Sequence, residues 1–110
     1  MSGFERSETD EFARGARALV IYPELPGRAS VGPDARLAEA EGLALAIGLN
    51  VVRKKHYRVR SPRAVTLLGG GQVEEIAEMG RELEADLLIV DAALTAIQQR
   101  NLEEIGRAHV

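Results

Sequence analysis

The sequence of 110 residues suits a single domain, and its 45% apolar and 28% charged residues are enough to bury one core. It has no cysteine and only two histidines, His56 and His109. This excludes a disulfide scaffold, a thiolate metal site and a cysteine nucleophile, and it argues against an all-protein zinc centre. The net charge of −3 conceals an uneven distribution: residues 53–63 carry six Arg or Lys and no acid, against −3 for residues 1–52 and −6 for residues 64–110.

Residues 1–16 are mostly polar, without an apolar period, and read as a flexible N-terminal tail before a domain at 17–110. The opening MSGFERSETDEF is acidic, unlike a signal peptide, and no apolar run approaches the ~20 residues that cross a bilayer. The expected setting is cytoplasmic, with no membrane partner. RALVIY (17–22) is a short continuous apolar run, the pattern of a strand buried on both faces, and it ends at Pro23. Residues 23–32 form a loop rich in proline and glycine. Pro33 and Asp34 open a helix whose inward stripe is Leu37, Ala40, Ala44 and Ile47, with Gly48 as its stop.

LNVVRK (49–54) predicts a second strand, HYRVRSPR (56–63) a basic connector and AVTLLG (64–69) a short third strand. After Gly69-Gly70-Gly71 comes a second helix with Val73, Ile76, Ala77, Gly80 and Leu83 on one face. ADLLIVD (85–91) is the clearest strand, with Ile89 expected in the core. Thr95 and Gln98 have capping-box spacing. A third helix should run to about 105, with Leu102 and Ile105 inward and Gly106 at its end. Residues 107–110 look like the start of another strand, as expected of a fragment cut at a domain boundary. The alternation predicts an α/β fold: layered βαβ units around a mostly parallel four- to five-stranded sheet with helices on both faces. An unpaired edge of that sheet would offer a route to a homodimer.

No residue set is convincing as catalytic or metal-binding. Gly69, Gly70 and Gly71 before a helix could aim N–H groups at a phosphate, but GxxxxGK[ST] and GxGxxG are both absent. Gln72 stands where a lysine would help, and Glu74 and Glu75 are expected in the first turn, where they would repel an anion. The alternative for these glycines is a plain strand-to-helix turn. Asp91, at the carboxyl end of a strand, lies where open α/β sheets hold ligands, or else forms a turn. Gln99 and Arg100 lie in a polar run that could meet RNA or simply face solvent.

The strongest local lead is the basic block. Arg53, Lys54, Lys55, Arg58, Arg60 and Arg63 supply cations for phosphates, and Tyr57 supplies a ring for stacking. Its other reading is a solvated loop paired with the acidic helix at 74–84.

Three segments together resemble the N-terminal domain of HflX-type GTPases: Thr66–Ile76 around LLGGGQVEE, Ala85–Asp91, and Leu94–Glu103, LTAIQQRNLE. The helix at Pro33–Ala44 is similar too. Gln72 replaces a lysine of the family pattern, and Ala96 replaces a proline. The resemblance implies a module that contacts the large ribosomal subunit and its RNA and restrains a G domain lying elsewhere in a longer protein. GTP and Mg²⁺ then belong to that G domain, and the present residues, lacking a P-loop, should not hydrolyse GTP or hold a cofactor. The resemblance also implies a competing role, ATP binding through the N-terminal region, for which the candidates among these residues are Gly69–Gly71, Gln72 and Asp91.

Overall fold

The computed structural model of the chain describes residues 15–27 and 32–107, which form three strands and three helices. β1 (Arg17–Glu24) is the central strand of a parallel sheet of order β2-β1-β3, with β2 at Asn50–Arg58 and β3 at Leu87–Val90. Each crossover carries a helix: α1 (Pro33–Ala46) joins β1 to β2, and α2 (Gly70–Glu82) lies between β2 and β3. α3 (Ala96–Arg107) follows β3. Because β2 and β3 flank β1 on opposite sides, right-handed crossovers put α1 and α2 on opposite faces.

The alternation of β1 carries out this division. Leu19 and Ile21 join Ile76 and Met79 of α2, together with Tyr57, Val59 and Leu68. Ala18, Val20 and Tyr22 face the other way, against Leu37, Ala40 and Ala44 of α1. A strand covered on both sides has no polar face, which is why RALVIY is legible as a run. The strand continues through Pro23, a residue that central strands usually exclude. The O atoms of Arg17 and Ile21 accept from the β3 side, from the Asp86 and Asp91 N–H groups. By parity the missing N–H of Pro23 points to that side too, where β3 has already ended, so no ladder bond is lost.

Several expectations need correction. Among the described residues the sheet has three strands, not four to five. AVTLLG is not a strand: Arg63 and Leu67 close a tight loop with two mutual backbone bonds, and Leu67 adopts φ 68°, which breaks extended geometry. β2 is longer than expected and absorbs His56, Tyr57 and Arg58 from the supposed connector. α3 passes through Gly106 and includes Arg107, which is therefore helical and not the first residue of a strand, and residues 108–110 lie outside the described residues. Of the expected tail, residues 1–14 also lie outside them, whereas Gly15 and Ala16 are held to the domain by bonds with Gly48 and Asn50. Ile47 caps α1 exposed rather than joining its stripe. No described helix is long and apolar enough to cross a membrane.

Two helix ends show the same turn built from different residues. After α1, Gly48 takes φ 90°, and the N–H groups of Gly48 and Leu49 return to the carbonyls of Leu45 and Ala44. After α2, Glu84 takes φ 53° and Ala85 N–H returns to Gly80. A side chain at that φ is strained where glycine is not. Glu84→Gly is therefore expected to raise stability by about 0.5–1 kcal/mol. The check is a higher urea midpoint with an unchanged slope, and a midpoint that falls would contradict the strain.

Candidate nucleic-acid interface

The cations of β2 do not form one patch. A strand sends successive side chains to opposite faces. Lys54 and His56 turn towards α1: Lys54 Nζ lies 2.7 Å from Glu41, and His56 Nε2 lies 2.7 Å from Glu24 and stacks on Tyr22. Arg53, Lys55 and Tyr57 turn towards α2, where Arg53 touches the Met79 sulfur and Lys55 Nζ lies 3.4 Å from Glu75.

Tyr57 is buried at 6% exposure and cannot stack on a base, contrary to the sequence expectation. Its hydroxyl donates to Glu75, and Lys55 lies over its ring. Burial, together with the hydrogen bond and charge of Glu75, pushes the phenol well above the ordinary range. The Tyr57 hydrogen bond, with Lys55 beside it, holds the Glu75 carboxyl below its usual range. Pairing with acids thus describes Lys54, Lys55 and His56, which meet Glu41 of α1, Glu75 of α2 and Glu24 of β1; exposed Arg53 has no carboxylate partner among the described residues.

The end of the block differs. Arg58 is 74% exposed and reaches Glu24 only at 4.0 Å. Arg60 and Arg63 are exposed and have no ion-pair partner among the described residues. Between Arg58 and Arg60, Val59 is buried in the α2-side core, which anchors the segment. Three exposed arginines therefore lie at and just beyond the carboxyl end of an edge strand, Arg58 at the outer limit of Glu24 and Arg60 and Arg63 without a carboxylate partner among the described residues.

The glycine turn is occupied by the protein itself. Gln72 Oε1 accepts the Gly69 N–H at 3.0 Å, and Gln72 Nε2 donates to the Arg58 carbonyl at 2.9 Å. None of Gly69, Gly70 and Gly71 has positive φ. Glu74 and Glu75 lie beyond the first turn, not in it. Asp91 sits elsewhere, bonded to Arg36 at 3.2 Å beside Tyr22, in a cleft of about 370 Å³ between the ends of β1 and β3. That cleft is lined by none of the three glycines or Gln72, so the nucleotide candidates are not brought together.

α3 contributes in an unexpected way. Thr95 and Gln98 form the full capping box, each side chain accepting the other's N–H, at 2.9 and 3.1 Å. Buried Gln98 also donates to the Arg63 carbonyl at 2.9 Å, and Asn101 donates to the Val65 carbonyl at 2.9 Å. Gln99 reaches Glu103 instead, and exposed Arg100 falls some 200° around the helix from Gln98. Sequence reasoning misses these roles of Gln98 and Asn101; the capping spacing is the one signal it has.

These features define a parallel α/β domain wound both ways from its central strand, with an arginine tip at one sheet edge. A family profile described as GTP-binding GTPase N-terminal matches residues 34–110. The chain is 41% identical over 74 residues to GTPase HflX of Magnetococcus marinus, covering 67% of this chain and 17% of that protein. It is 35% identical over 72 residues to GTPase HflX of Chlamydia pneumoniae, covering 64% and 15%. With GTPase HflX of Akkermansia muciniphila it shares 28% over 102 residues, covering 93% and 23%. The chain belongs to the GTP-binding GTPase N-terminal family and is an HflX-type N-terminal domain. It spans under a quarter of the length of these relatives.

Proposed function

We propose that this domain is the recognition module of a larger cytoplasmic HflX-like GTP-binding protein. It docks on the large ribosomal subunit by contacting RNA phosphates, and it restrains the G domain that hydrolyses GTP. The observation that supports docking is the arginine tip. Arg58, Arg60 and Arg63 are exposed, with only the 4.0 Å approach of Arg58 to Glu24 between them and full availability. Guanidinium forks suit phosphate oxygens, and cations already paired with carboxylates contribute little to such a contact. Lys54 and Lys55, each within 3.4 Å of a glutamate, are therefore outside the interface, as is buried Tyr57.

Co-sedimentation with purified large and small ribosomal subunits tests this. Binding is expected to large subunits and to fall steeply as salt rises, since each phosphate contact releases a counterion. Equal binding to both subunits, or none at low salt, would overturn it.

A second reading, ATP binding, has one observation in its favour. The Asp91 cleft lies where the strand order reverses, the position at which such sheets hold ligands. Titration with ATP and Mg²⁺ while following the amides of Gly69–Gln72 and Asp91–Ala93 separates the two. Shifts at Asp91–Ala93 support it even where the glycine-turn amides stay still, and none at millimolar ligand ends it.

A further inference from the structure

The segment that carries the arginine tip is held at three points by side-chain amides. Gln72 of α2 donates to the Arg58 carbonyl at 2.9 Å. From α3, Gln98 donates to the Arg63 carbonyl and Asn101 to the Val65 carbonyl, both at 2.9 Å. The loop is further closed on itself by the paired Arg63 and Leu67 backbones, at 3.1 and 2.8 Å. Leu67 is 5% exposed and sits at φ 68°, a strained conformation for a branched residue that persists only when its surroundings hold it. Leu67's own burial, its neighbour Leu68 in the α2-side core and the amide contacts from α3 supply that hold.

We infer that Gln72, Gln98 and Asn101 are positioning residues. By fixing three backbone carbonyls, they set the direction in which Arg58, Arg60 and Arg63 leave the backbone, so that the arginines meet RNA phosphates as one preorganised group. Each immobilised arginine would otherwise lose rotamer and backbone freedom on binding, and a fixed loop has already lost the backbone share. This rests on the RNA-docking reading above and adds to it which residues aim the cations.

The test uses substitutions that leave the charge unchanged. Gln72→Met and Asn101→Ala are combined in the protein, and binding to purified large subunits is measured across a salt series. The midpoint of thermal unfolding and the hydrogen exchange of the Leu67 amide are recorded alongside. The expected result is a roughly tenfold weaker affinity and a salt slope shallower by about one contact, 0.7–0.9, with no cation removed. The Leu67 amide should exchange faster while the β1 amides keep their protection.

If affinity and slope match the parent although Arg60→Ala with Arg63→Ala weakens binding, the positioning role is wrong and RNA docking stands. If the arginine variant binds like the parent, the docking reading fails and takes the positioning role with it. Should the combined variant unfold, Asn101→Ala alone, at an exposed hydrogen bond, provides the same comparison.

Discussion

Ile21→Ala is expected to cost about 3 kcal/mol of folding free energy, within the 2–5 observed for buried large-to-small changes. Ile21 has 0% exposure and lies in the middle of the strand that both others pair with. Its side chain is enclosed by the α2-side cluster of Tyr57, Val59, Leu68, Ile76 and Met79, so no neighbour can collapse into the space without leaving its own contacts. A domain of this size has only about 5–15 kcal/mol in total, so the melting temperature should fall on the order of 10 °C or more. Ile89→Ala should cost less, about 1–2 kcal/mol, because β3 is a half-buried edge strand and not the centre of the sheet. Denaturant midpoints for the two variants check this. Equal losses would mean that β3 is covered in solution as fully as β1.

Replacing Arg60 and Arg63 together by alanine is expected to make the salt slope of large-subunit binding shallower by about 1.4–1.8, two phosphate contacts at 0.7–0.9 each. At low salt the affinity should drop by an order of magnitude or more. The informative control is Lys54→Ala. It also removes one positive charge from the basic block, but this cation is already paired at 2.7 Å with Glu41. Its removal should leave the slope unchanged, since a contact that never forms releases no counterion. If Lys54→Ala lowers the slope as much as either arginine does, binding follows overall charge and the division of the block has no functional meaning.

The fold is legible in the sequence where its cause is local. RALVIY announces a two-sided strand because every residue in it after Arg17 is apolar, and Pro33 with Leu37, Ala40 and Ala44 announces α1 by position and period. Gly48 and the Thr95–Gln98 box mark helix ends through chemistry that operates within four residues. The length of β2 is hidden because Lys-Lys-His reads as solvent-loving. Those residues suit a solvated edge strand, where Glu41, Glu75 and Glu24, up to 32 positions away, meet them across the fold. AVTLLG misleads for the opposite reason: it has strand composition, but the left-handed turn at Leu67 is imposed by tertiary contacts.

The functional residues divide the same way. The density of cations in 53–63 is visible in the composition of the block alone, and it points to phosphate chemistry. Which of them stay available depends on strand parity and on the reach of distant carboxylates, and neither is written in the block itself. Gln98 and Asn101 look like any polar helix face until the carbonyls of Arg63 and Val65 are seen beneath them.

If the carboxyl-end tip of β2 meets ribosomal RNA, a photo-crosslinking amino acid placed beside it will report the contact most directly. At Val65, which is 57% exposed and next to the tip, it should crosslink to RNA of the large subunit, and the crosslink should fade as salt rises. The same group at Leu43, 68% exposed on α1, should give none. RNA crosslinks from position 43 but not from position 65, at low salt and with bound subunits, would contradict the account.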